Sequence, residues 1–245
     1  MSLTLEQAPR ALVEDPGEQW APGLQKARAY EVMLLDIIIG VLRPGARLDE
    51  AALAARYDFG LASIRDALGR LALEGLVQRR PRVGTSVAPL DLIEIRQAFE
   101  ARCLVEPHCA ALAARRASAD EVKAMLTAFD GADEAHRRRD FRALVAMDQA
   151  FHRAVAAGSH NPALIRIVRL LHHKAARYWI HTLSVNPPAA EPKQENPHLA
   201  VARAIAARDP VTAARAMHAA LAIFPAEVGR AAASTPTALR GPSAL

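Results

Sequence analysis

From residue 24 onward the spacing of apolar positions changes in a way that divides the chain. Between residues 24 and 40, Ala27, Tyr30, Leu34, Ile37 and Ile38 recur at the interval of one helix face, and Gly40 supplies a stop. Arg43-Pro44-Gly45-Ala46-Arg47-Leu48 reads as a turn running into a short extended piece, and Asp49 stands at the N-cap of a helix predicted over residues 51–57. Asp58-Phe59-Gly60 breaks that helix. A further helix over residues 61–74 gathers Ile64, Ala67, Leu68 and Leu71 on one face and turns Ala62, Ser63, Arg65 and Asp66 away from it, before Gly75 ends it. Residues 77–80 and 85–88, joined by Pro81-Arg82-Val83-Gly84, pattern as a small hairpin. Two helices with a three-residue break, then a hairpin, describe a winged helix-turn-helix.

Beyond Pro89 the pattern is helical almost throughout. Ser118 with Glu121 forms a capping-box signal, while Asn161-Pro162 and Asp209-Pro210 each pair an N-cap residue with proline at the first helical position. Helices are predicted over residues 91–116, 119–137, 140–157, 162–183, 197–207 and 210–230, with a Pro-rich loop over 186–197. The expected fold is mainly α: a winged helix-turn-helix over residues 24–89 and an all-α bundle over 90–231, the effector-binding and dimerisation domain. Residues 1–23, with one base against four acids and no sustained period, read as a mobile tail, and residues 232–245 as a second.

Composition supports this division. Of the 245 residues 51% are hydrophobic but only 4% aromatic, a balance that favours packed helices over sheets. The formal charge of +5 permits contact with nucleic acid, and its distribution says more: residues 24–89 hold ten Lys/Arg against seven Asp/Glu, with Arg65, Arg70, Arg79, Arg80 and Arg82 close together. Cys103 and Cys109, six apart on a predicted helix, face different sides and do not suit a disulfide; reduced thiols fit the cytoplasm. With no apolar run near about 18 residues and no basic-then-apolar leader, a cytoplasmic, unexported protein is expected.

The run Pro44-Gly45-Ala46-Arg47-Leu48-Asp49-Glu50, then Leu53-Ala54, Ile64-Arg65-Asp66-Ala67-Leu68, Leu71, Glu74-Gly75-Leu76-Val77 and Arg79-Arg80-Pro81, resembles the DNA-binding domain of the GntR superfamily. Downstream, Arg96-Gln97-Ala98-Phe99-Glu100, Asp148, Phe151-His152, Asn161, His198, Ala204-Ile205 and Asp209 resemble the FCD ligand-sensing domain of its FadR-type branch. The resemblance covers roughly residues 24–228. It implies a homodimeric transcription regulator, a repressor in the first instance, in which an effector changes the spacing or rigidity of the paired heads on an inverted-repeat operator. Two departures bear on the operator: Gly60-Leu61-Ala62-Ser63 stands where the family commonly has Ser-Arg-Thr-Pro, and Ala51 occupies a commonly basic position.

Arg65, on the open face of the second helix, reads as a donor to guanine O6 and N7 or to phosphate, or else as a solvated partner of a nearby acid. Ser63 is placed for phosphate or simply for the helix start. Arg79, Arg80 and Arg82 around Gly84 suit a wing on the phosphate backbone or in the minor groove.

Asp148 and His152, four apart, share a helix face and suit one cation, or a plain hydrogen bond to each other. The resemblance adds His198 as a third ligand of a divalent transition metal, zinc foremost, and places the usual fourth imidazole at Ala220; His218 lies about 200° round the helix from it. It also assigns Arg96 to a small, carboxylate effector, against the alternative of a pair with Glu100 one turn later. His172, His173 and His181 read as structural. Two other functions stay open: a metal-dependent hydrolase built on Asp148, His152 and His198, and an interaction module whose head has lost DNA binding.

Overall fold

The computed structural model describes residues 24–185 and 196–234. Helices α1 (Gln25–Ile38), α2 (Glu50–Tyr57) and α3 (Leu61–Leu73) precede two antiparallel strands, β1 (Val77–Arg80) and β2 (Gly84–Val87), with Val77 opposite Val87 and Arg80 opposite Gly84. Asp49 caps α2 by accepting from the Ala52 amide at 2.7 Å, and Asp58 ends it in the left-handed conformation. Ile64, Ala67, Leu68 and Leu71 are fully buried, so α3 turns the predicted face inward, against α1.

The extended piece before α2 joins the wing. The Leu48 amide donates to the Thr85 carbonyl at 2.8 Å, the Val87 amide donates to the Ala46 carbonyl at 2.9 Å, and Arg47 bridges to Ser86. The Arg47 guanidinium also donates to the Val83 carbonyl at 2.7 Å, holding the wing turn from below.

The rest is helical: α4 (Leu92–Arg116), α5 (Ala119–Thr127), α6 (Ala132–Arg137), α7 (Phe141–Gly158), α8 (Pro162–Val185), α9 (Pro197–Ala206) and α10 (Pro210–Ser234). The single helix expected over 119–137 is two, because Gly131 takes φ +85°, a conformation that interrupts the α-helical ladder and that a residue without a β-carbon adopts freely. Helix α10 continues past the expected end at 230, so residues 232–234 are helical rather than tail. The tail expected over 1–23, the remainder of the C-terminal tail over 235–245, and residues 186–195 of the expected loop lie outside the described residues.

Helix α4 runs against α7, α8, α9 and α10 around a core that includes Cys109, Ala113, Met125, Phe151, Val155, Val201, Ile205 and Met217. Small residues let these helices approach closely. A β-carbon on Gly158 would stand 2.8 Å from Met125 Cε and 3.1 Å from Ala117 Cβ. Gly158→Val is therefore expected to lower stability by about 1–3 kcal/mol, seen as an earlier denaturant midpoint with an unchanged slope.

The winged part rests directly on the bundle. Val145 of α7 and Ala176 of α8 belong to its core, Trp179 and Ile180 pack against it, and Arg177 donates to the Ala88 carbonyl at 2.5 Å.

Candidate functional site

On the winged part, the open face of α3 carries exposed Leu61, Ala62, Arg65 and Asp66, with Ser63 half-buried beside them. Arg65 Nε donates to Glu50 Oε2 at 2.6 Å, so the solvated-partner arrangement is the one present in the free protein. Arg79 donates to the Arg65 carbonyl at 3.1 Å and ties β1 to that helix. Arg80, Arg82 and Gly84 are exposed at the wing turn, Arg82 with φ +65°. If this wing follows a DNA backbone, Arg82→Ala weakens binding to all sequences alike and lowers the salt slope by about one; an unchanged slope would remove the wing from the footprint.

In the bundle, α7 and the start of α9 bring Asp148, His152 and His198 together, with one donor atom of each within 4.8 Å of the others. His152 Nε2 lies 3.2 Å from His198 Nε2, and Asp148 Oδ1 lies 3.7 Å and 3.6 Å from those two atoms. The carboxylate distances are too long for hydrogen bonds, which sets aside a simple Asp148–His152 bond. Each imidazole is held from behind. His152 Nδ1 donates to Glu106, and His198 Nδ1 donates to Asn196 Oδ1 at 2.8 Å, while Asn196 also caps α9. Phe129 stacks on the His198 ring at 4.9 Å and Phe151 meets it edge-on at 5.0 Å.

With both Nδ1 atoms committed as donors, two Nε2 lone pairs face each other beside a carboxylate, which among the described residues accepts no hydrogen bond. This donor set fits a divalent cation: four donors about 2.0–2.1 Å from zinc stand roughly 3.3 Å from one another. Burial, then neighbouring His152, pushes the His198 pKa down to about 4. His172 is likewise shifted well down, by burial and by Arg102. Unfolded imidazoles titrate near about 6.5, so between about pH 6.5 and 4 the unfolded chain binds more protons than the folded one. The metal-free protein should thus melt several degrees lower at pH 5 than at pH 7; an equal melting temperature would contradict these environments.

Beside the cluster lies a buried ion pair that sequence reasoning passed over. Arg102 Nε donates to Glu106, and the guanidinium reaches His172 Nε2 at 3.1 Å and His152 Nε2 at 3.4 Å, under the Phe99 ring. Burial opposes ionisation of Glu106, yet Arg102 and His152 hold its pKa at about 2. Arg96, by contrast, is exposed and pairs with Glu100 at 3.4 Å, the alternative left open for it; it is Arg102 that faces the cluster. The signal was present: Phe99, Arg102, Glu106, Cys109 and Ala113 form one helical stripe, with opposite charges four apart in its apolar middle. Ala220 is buried and His218 exposed, as their spacing on α10 required.

The fold agrees with comparisons against known proteins. The profile of the FCD domain matches residues 97–222, about half of the chain, and that of "Bacterial regulatory proteins, gntR family" matches residues 25–87. The chain belongs to the GntR family, with an FCD domain behind its DNA-binding head. It is 30% identical over 198 residues to the HTH-type transcriptional repressor GlaR of Escherichia coli K12, covering 77% of this chain and 88% of that one. It is 29% identical over 142 residues to a probable D-xylose utilization operon transcriptional repressor of Paenarthrobacter nicotinovorans, covering 57% and 62%. Among solved structures, E. coli McbR/YncC superposes with a TM-score of 0.75 at 18% identity, over 84% of this chain and 97% of that one. A putative GntR regulator from Rhodococcus sp. RHA1 gives 0.64 at 22% identity, over 86% and 99%. For this GntR regulator, the Leu61 and Ala51 departures leave the head's fold intact: both side chains are exposed, outside its core.

Proposed function

We propose that this GntR-family transcription regulator holds a divalent metal, zinc foremost, through Asp148, His152 and His198, and takes a small carboxylate effector between that metal and Arg102. The metal would supply a Lewis-acidic position for one carboxylate oxygen. Arg102 would supply a planar pair of donors for the other, and Glu106 keeps that guanidinium oriented. Because Glu106 is bound to Arg102 and His152, it is not free to serve as the general base that a hydrolase reading needs.

The observation that carries a regulatory reading is helix α8. His172 touches the cluster, and its neighbour His173 lies 3.5 Å from Glu74, the C-cap residue of α3. Glu74 also accepts from Tyr30 of α1 at 2.7 Å and from Arg70 at 3.2 Å. A shift of α8 caused by ligand therefore presses on the same carboxylate that joins two helices of the head. The functional unit in this reading is a cytoplasmic homodimer on an inverted repeat; Ile93 and Leu104, exposed three helical turns apart on α4, supply an apolar face for the partner copy.

The test is operator affinity of the full-length protein, on sites recovered by genomic selection, measured metal-free, zinc-loaded, and zinc-loaded with a panel of small mono- and dicarboxylates. Affinity is expected to change about 5- to 150-fold between states, and Glu74→Gln to reduce that response while leaving metal-free binding near wild type. An affinity indifferent to zinc and to every carboxylate, or a monomer by light scattering bound to a single half-site, would defeat the reading.

A further inference from the structure

Asp148 presents its two oxygens to different neighbours. Oδ1 faces His152 and His198, as described above, while Oδ2 faces His172 Nε2 at 3.6 Å. That third separation is again too long for a hydrogen bond and close to the spacing of two donors on one ion. His172 comes from α8, a helix that contributes neither Asp148, His152 nor His198, and its ring lies against that of His152 with centroids 4.6 Å apart. It is buried, and its Nδ1 has no hydrogen-bond partner among the described residues. Its Nε2 accepts from the Arg102 guanidinium, which at the same time reaches His152 Nε2. One cationic side chain thus already gathers the Nε2 lone pairs of both imidazoles. Of the two α10 positions considered above, neither supplies a donor: Ala220 has none, and His218 is exposed.

We propose that His172 is the fourth donor of this metal site, joining Asp148, His152 and His198 when the ion is bound and giving up its contact with Arg102. The inference rests on the metal reading above and adds a consequence to it. Metal uptake releases one arm of the Arg102 guanidinium for an incoming anion, whose carboxylate oxygen would join the ion as a fifth ligand, and moves α8 at the residue next to His173, so that loading the site primes effector binding and touches the head in one step.

The full-length protein, labelled with 15N-histidine and loaded with 113Cd, counts the donors directly. Three imidazole nitrogens split by one-bond coupling to cadmium support the proposal; two overturn it and leave the three-residue site standing. No cadmium bound defeats the metal reading itself, and the proposal with it. His172→Gln keeps an acceptor near the Nε2 position for Arg102 while replacing the imidazole by a poor ligand. It is expected to lose one coupling and to bind zinc at least about tenfold more weakly in chelator competition. Unchanged zinc affinity in a folded His172→Gln protein would overturn the proposal, and if that variant does not fold, the wild-type count decides.

Discussion

Glu106→Leu is expected to lower the stability of the protein by about 3–5 kcal/mol, the cost of leaving a buried guanidinium without its carboxylate. Arg102 and Glu106 are 5% and 2% exposed, so water cannot take over the lost partner. The same substitution removes the acceptor behind His152 Nδ1, and zinc affinity should fall by about 10- to 100-fold through that imidazole's lost orientation. Arg102→Met combined with Glu106→Leu separates the two effects. Replacing both charges by apolar groups of similar volume should restore much of the stability, while zinc affinity stays low and any carboxylate response disappears. Thermal denaturation and chelator competition on the three variants give the answer; a stable Glu106→Leu single variant with unchanged zinc affinity would mean that the pair neither supports the fold nor orients the site.

The second large effect is on DNA. Arg65 projects from the open face of α3, and the free protein holds its guanidinium on Glu50, which stands in the first turn of α2. Arg65→Ala should weaken operator binding about 10- to 100-fold at fixed salt and relax discrimination at one base position, the usual consequence of losing one bidentate contact. Glu50→Ala removes the competing carboxylate and a negative charge from the face presented to phosphates. It should tighten binding to every sequence, with the gain shrinking as salt is raised. If Arg65→Ala leaves operator affinity unchanged, the reading residues of this head lie elsewhere on α3 or in the wing.

Most of the element order could be read from the chain because helices and turns are governed by short-range rules. Asp49 capping α2, the inward stripe of α3 and the Ser118–Glu121 box all depend on residues within a turn of each other, and all stand in the structure. The break at Gly131 was missed for the same reason in reverse: a left-handed glycine between two polar helical stretches leaves an almost continuous helical pattern. Asp148 with His152 was visible as one helix face, and His198 entered through resemblance. Arg96 was singled out on α4, while Arg102, which contacts His152 and His172, was passed over. Both arginines stand four residues before a glutamate on α4, and only the direction of that helix's apolar stripe separates the exposed pair from the buried one.

What the sequence determined by itself, then, is local: the caps, the faces, the helical periods, the basic wing, and through motif order the family. What tertiary structure alone decided is which faces meet. That His172 stands against Asp148 while the adjacent His173 stands near Glu74 depends on how α8 lies between α4, α7 and the head. Consecutive side chains on a helix diverge by about 100°, so one always faces elsewhere, but the chain does not say what waits on either side. That is fixed by long-range packing of helices, the property that periodicity within any one of them cannot carry.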